Sequence, residues 1–214
     1  MDSRTKSLAH LLCGYCIDAQ PKEVVVIACE TSAEPLAVAV YERLIERGAW
    51  PVLQMTPDAC RLALFRNGKE HHFNEPNPWM AAGLRHVDAR IGIISASNTR
   101  ALADVDPALQ ARVGASNRRL WKRAKDLRWV GTLFPTAAYA QEAGMALSDF
   151  EDFVYSATFA DQKNPEACWK QLGKKQARLA ERLNQAESVQ IVGEDTDITL
   201  SVAEESIQKR AVLY

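Results

Sequence analysis

The thiols of Cys13 and Cys16, three positions apart, can in principle form a redox disulfide or supply half of a zinc site. Their context argues against both. A reactive pair belongs at the start of a helix just after a strand, where the helix N-terminus stabilises a thiolate, whereas this pair falls toward the end of the first helical pattern. No second Cys-x-x-Cys and no His-x-x-x-His completes a zinc site, so the pair reads as structural, with Cys16 packed on the apolar face of the helix. A redox protein using Cys13 and Cys16 is the least supported of three functional readings. His71, His72 and His86 could ligate a metal, but adjacent side chains point apart in a strand and diverge by about 100° in a helix. They read as solvated loop residues. The basic residues Arg112, Arg118, Arg119, Lys122, Arg123, Lys125 and Arg128 share a helical stretch with Trp121 as its one aromatic. That pattern suits a solvated or subunit-contact face better than a polyanion site.

A further set of polar residues follows three predicted strands: Glu30, Thr31 and Ser32, then Ser95, Ser97 and Asn98, then Thr136. In open α/β folds ligands collect beyond the carboxyl ends of the strands, so Glu30, Thr31, Ser95, Ser97, Asn98 and Thr136 form a candidate pocket. The same residue types also serve as helix caps. No GxGxxG or Walker loop follows any strand and no GxSxG elbow occurs, which removes the usual supports for nucleotide binding and for α/β-hydrolase chemistry.

The elements that position these residues follow from periodicity. Leu8, Leu11, Leu12, Tyr15 and Cys16 fall on one helical face, ended by Gln20-Pro21. Glu23 to Ala28 is a continuous β-branched run, as expected of a strand covered on both faces. Thr31 and Glu34 have capping-box spacing, Pro35 lies in the first turn, and Gly48 closes a helix striped by Leu36, Val40, Leu44 and Ile45. Trp50 to Met55 completes a βαβ unit, and a further helix runs to Asn67. Lys69 to Pro78 reads as a loop, followed by a short helix near Trp79 to Leu84, a strand from Ala89 to Ser95 and a long helix from Asp106 to about Asp126. Arg128 to Leu133 is a fourth strand. Helices are then predicted over Thr136 to Gly144, Ser148 to Phe159 (capped by Ser148) and Pro165 to Glu187. Ser188 to Val192 and Thr196 to Val202 form a hairpin. The fold class is therefore α/β: three layers, α/β/α, with a mainly parallel sheet and a C-terminal antiparallel hairpin added at its edge.

Composition sets the outer limits. A chain of 214 residues is long enough to bury a core as one α/β domain. With 26 basic and 27 acidic residues its formal net charge is -1, which gives no overall field for nucleic acid or anionic lipid. No apolar run approaches a bilayer span. Five cysteines at irregular spacing suit a reducing compartment, so a soluble, cytoplasmic protein is expected, without nucleic-acid or membrane partners.

Several segments, taken in order, resemble the N-terminal domain of the thermophilic-type metallo-aminopeptidases, the aminopeptidase T and S family. They are Tyr15-Cys16-Ile17 before the Pro21 to Ile27 strand, Glu34-Pro35-Leu36 leading to Gly48-Ala49, and Pro135-Thr136 before Ala140-Gln141. Phe150-Glu151-Asp152-Phe153 with Trp169 follows, and then Thr196-Asp197-Ile198-Thr199-Leu200. The resemblance implies an N-terminal domain over residues 1–202 and a divergent tail over 203–214 that reflects a truncation, a shifted frame or an artificial end. The parent activity it implies is removal of N-terminal amino acids from peptides by a two-metal site, whose ligands belong to a C-terminal domain. On that reading this chain binds no cofactor itself, the divalent metal ions belong to the full-length protein, and the partner is the catalytic domain or a second subunit, as in a homodimer. Peptide substrate is then expected only in the full-length context. No catalytic or metal residue carries over, all four histidines lie within the first 86 positions, and the isolated chain is expected to be inactive. The alternative is a free-standing α/β protein that binds or processes a small molecule at the strand ends.

Overall fold

The computed structural model of the protein describes residues 2–122 and 127–202, excluding the side chains of residues 119, 121 and 122. Two compact units make up the chain, Met1–Pro165 and Glu166–Tyr214. The expected tail over 203–214, the end of the long helix near Asp126, and the basic residues Arg119, Lys122, Arg123 and Lys125 lie outside the described backbone or side chains.

The first unit is built on four parallel strands, β1 (Val24–Glu30), β2 (Trp50–Thr56), β3 (Ala89–Ile94) and β4 (Arg128–Leu133), in the order β2-β1-β3-β4. Registers such as Val26 opposite Val52, Ile27 opposite Ile91 and Ile91 opposite Val130 fix which residues share a face. The β-branched run of β1 is buried on both faces, as its composition predicts: Val25 and Ile27 are fully enclosed and Val26 nearly so. Helix α1 (Ser3–Leu11) packs on α2 (Glu34–Glu46), which lies against β1 and β2. Leu8, Leu36, Val40 and Leu44 are withdrawn from solvent there. On the opposite side, α5 (Pro78–Gly83) and Leu120 of α6 (Pro107–Lys122) face Val24, Val26 and Val52 around an apolar cavity of about 220 Å³. This is the expected three-layer arrangement.

Local departures from the sequence reading have local causes. The first helix continues past Leu11 as a π-turn over Leu12–Cys16, which rotates Cys13 into the core and leaves Cys16 exposed, the reverse of the expected packing. The capping box of Thr31 and Glu34 does not form. Thr31–Ala33 is a short 3-10 turn, and α2 starts at Glu34 on Pro35 without a side-chain cap. The segment read as a loop contains α4 (Glu70–Asn74), because His72 Nδ1 accepts from the Lys69 backbone N–H at 2.9 Å and supplies the cap that polar composition hid. Ser148 does not cap α8 (Leu147–Ala157); its hydroxyl donates to Asp149 instead. Gly48 does end α2, at φ +78°, where a side chain would be strained.

Two arginines hold the chain between the first helix and β1. Arg47 donates to the Ala19 carbonyl at 2.8 Å, and Arg128 donates to the carbonyls of Ile17 and Asp18 at 2.7 and 2.9 Å. Arg128 also pairs with Glu23 at 2.5 Å. Burial tends to raise the Glu23 carboxyl pKa, but the hydrogen bonds from Arg128 and from the Gln20 N–H outweigh it and hold the group below the usual carboxylate range.

The second unit contains α9 (Pro165–Gln185) and the hairpin β5 (Ser188–Gly193) and β6 (Thr196–Ser201). The hairpin is antiparallel as expected, but it is a separate two-stranded sheet rather than an added edge of the parallel one. Its two-residue turn, with Asp195 at φ 53°, lets each strand meet the other's ladder groups, and Gln190 donates across it to Asp197 at 2.8 Å. Helix α7 (Ala137–Glu142) belongs to the first unit, where Thr136 accepts from the Tyr139 N–H and caps it.

Candidate functional site

Chain order and sheet order disagree at one place. From β1 the chain crosses to β2 on one side and then returns to place β3 on the other, so β1 and β3 are neighbours whose following connections diverge. At such a switch point the loops leave a crevice above the strand ends. The structure has a cleft there of about 300 Å³, lined by Asp58, Arg61, Asn98, Gln110, Tyr139 and the loop that includes Ala96 and Leu102.

The strand ends are locked to each other. Glu30, at the end of β1, accepts from the backbone N–H of Ser95 at 2.8 Å and from its hydroxyl at 3.1 Å, and Ser95 is fully buried. The other Glu30 oxygen faces Arg61 at 3.6 Å. One residue pair further on, Asp58 accepts from the Ser97 N–H at 3.1 Å and hydroxyl at 2.5 Å, which ties α3 (Asp58–Asn67) to the loop after β3. Thr136 donates to the Ala96 carbonyl at 2.8 Å, and the Tyr139 hydroxyl accepts from the Ala96 N–H at 3.4 Å. Around the rim, Thr99 and Arg100 both bond Glu142, and Arg100 holds the exposed Glu142 carboxyl below its usual range.

Of the six residues singled out in the sequence, Asn98 lines the cleft, while Ser95 is bonded to Glu30, Ser97 to Asp58 and Thr136 to Ala96, the last two being bonds to residues that line it. The side-chain oxygen of Asn98 accepts from the Arg100 backbone N–H. Thr31 begins the 3-10 turn and is exposed. Sequence reasoning missed Asp58, Arg61, Gln110 and Tyr139. Asp58 and Arg61 carry a findable signal, since they occupy the first turn of a helix that starts directly after a strand's carboxyl end. Gln110 and Tyr139 reach the cleft only through the packing of helices distant in sequence.

The remaining candidates do not form reactive constellations. Burial pushes the Cys13 thiol up to about 12, so it supplies no thiolate near neutrality. Cys13 donates to the Val40 carbonyl. The His71 and His72 rings lie 3.9 Å apart, with His72 engaged at the start of α4. Among the described residues, no group of three or more His, Cys, Asp or Glu side chains is placed to hold a metal ion. No helix among them is long and apolar enough to cross a membrane.

A parallel α/β sheet with a polar cleft at its switch point defines the class of module. The solved structure of wild-type AmpT from Thermus thermophilus shares the fold, with a TM-score of 0.70 at 16% identity over 93% of this chain and 52% of that one. Aminopeptidase 2 of Geobacillus stearothermophilus is 26% identical over 206 residues, covering 87% of this chain and 49% of the relative. The model of the thermophilic metalloprotease (M29) family matches residues 1–210, and the chain belongs to that family. It spans about half the length of the relatives it matches.

Proposed function

We propose that this chain is the N-terminal, non-catalytic half of a metal-dependent aminopeptidase, a scaffold for a module that holds the metal ions and cleaves N-terminal residues from peptides. The supporting observation is a pairing of two facts: the chain matches family members over half their length, and its described residues offer no donor set for even one ion. The two-metal chemistry of the family needs several oxygen and nitrogen ligands converging on paired ions. The residues described here do not fit that group, and no step of hydrolysis is assigned to them.

The partner of this scaffold is the metal-binding half of the same family, whether in one polypeptide or on a second subunit. The second unit supports this. Val189, Ile191, Ile198 and Leu200 lie on one face of the hairpin, and the last three are each about half exposed. A two-stranded hairpin with an uncovered apolar face is marginal in water, so such a face asks for a cover. Nucleic acid and membrane have no place in this reading.

The test is turnover. Purified chain supplied with zinc or cobalt should release no product from aminoacyl p-nitroanilides. Metal-dependent release that follows the protein through purification and disappears on chelation would overturn the proposal.

A further inference from the structure

We propose that the cleft between the ends of β1 and β3 binds a free α-amino acid, its ammonium group on Asp58 and its carboxylate on Arg61. The two side chains are three residues apart on α3 and so project from one side of it, and both line the cleft. They are not spent on each other. Asp58 uses Oδ2 for both bonds from Ser97, which leaves Oδ1 without a hydrogen bond among the described residues. Arg61 has a loose ion pair with Glu30 at 3.6 Å, and its side chain is about half exposed at 49%. The stronger partner of Glu30 is Ser95, so the guanidinium is positioned by Glu30 and still has donors to offer.

The charge pattern selects the ligand. An acid alone meets Arg61 but also the carboxylates of Glu30 and Asp58, and an amine alone leaves the Arg61 donors unused. A zwitterion with both charges on one carbon answers both groups at once. Beside the polar Asn98, Thr99 and Gln110, the lining includes Ala96, Ala101 and Leu102, which suit an aliphatic side chain. A volume of about 300 Å³ is at the small end for ligand sites and accommodates a single amino acid. These features are independent of where the metal-binding half resides.

Calorimetric titration of the full chain with L-leucine, N-acetyl-L-leucine and L-leucinamide tests the assignment. L-leucine should bind saturably, and blocking either charge should weaken binding at least about tenfold. Asp58→Asn should remove the preference for L-leucine over N-acetyl-L-leucine, and Arg61→Gln the preference over L-leucinamide, with melting curves run alongside. If Arg61→Gln lowers the melting temperature, Arg61→Lys takes its place and should give a smaller loss of the same preference. No saturable binding of L-leucine, L-glutamate or L-lysine, equal binding of the blocked compounds, or L-leucine binding that survives both substitutions would each overturn the proposal. None of these outcomes alters the turnover test, so the two proposals fail separately.

Discussion

The unit formed by residues 1–165 and the one that follows solve the same problem in opposite ways. In the first, the β-branched strands sit between helices, and Leu8, Ile27, Leu36, Val40 and Ile91 have almost no contact with solvent. In the second, α9 contains no buried residue and every position of β6 is exposed, even though both elements carry apolar residues at regular spacing. Leu179 and Leu183 on α9 are 58% and 43% exposed. Amphipathic pattern is therefore shared by both units while burial is not. The first unit encloses a core even though Ile45, Trp50 and Trp129 stay exposed at its surface, whereas the helix and second strand of the following unit bury none of their residues.

That contrast can be broken by mutation. Ile27→Ala removes a fully buried side chain from the middle of the sheet and should cost about 2 to 5 kcal/mol, read from urea unfolding. A loss close to zero would mean that the first unit has no tight core. Glu23→Gln tests the tie between Arg128, the preceding loop and β1, and should cost at most about 1 kcal/mol at neutral pH because the pair is partly exposed. The sign follows from the lowered carboxyl pKa. Glu23 stabilises the fold above the range of an unfolded carboxylate, and that contribution is lost as the pH falls through the folded value. The difference between Glu23→Gln and the unaltered chain should therefore shrink on acidification, and a constant difference would show that the charge is not involved. The smallest effect is expected for Ile198→Ser. On the hairpin's exposed face it should change the stability of the isolated chain by less than about 0.5 kcal/mol, while weakening association with a separately prepared metal-binding half in a pull-down titration. A large loss of stability in the isolated chain would mean that the hairpin face is already covered.

Much of the frame was legible from sequence because its signals are local. The Val24 to Ile27 run, the Gly48 stop, the Thr136 cap and the spacing of apolar residues depend on a few neighbours along the chain. Where neighbours compete, the reading failed. Cys13 and Cys16 exchange exposure because one π-turn changes the helical phase, and no count of period 3.6 contains that turn. His72 caps a helix with a ring nitrogen, a role its residue type does not advertise.

The residues alone determined the α/β class, the order of the strands and of every helix but α4, the polar character of the strand ends and the family to which the chain is similar. Each of these is written in periodicity or in short motifs. Only the tertiary structure decided that β3 lies beside β1, that the hairpin stands as its own sheet, and that Asp58, Arg61, Gln110 and Tyr139 share one cleft. The reason is physical. Strand order and helix docking are chosen by burial of whole faces at once, so contacts between residues dozens of positions apart leave no trace at either position separately.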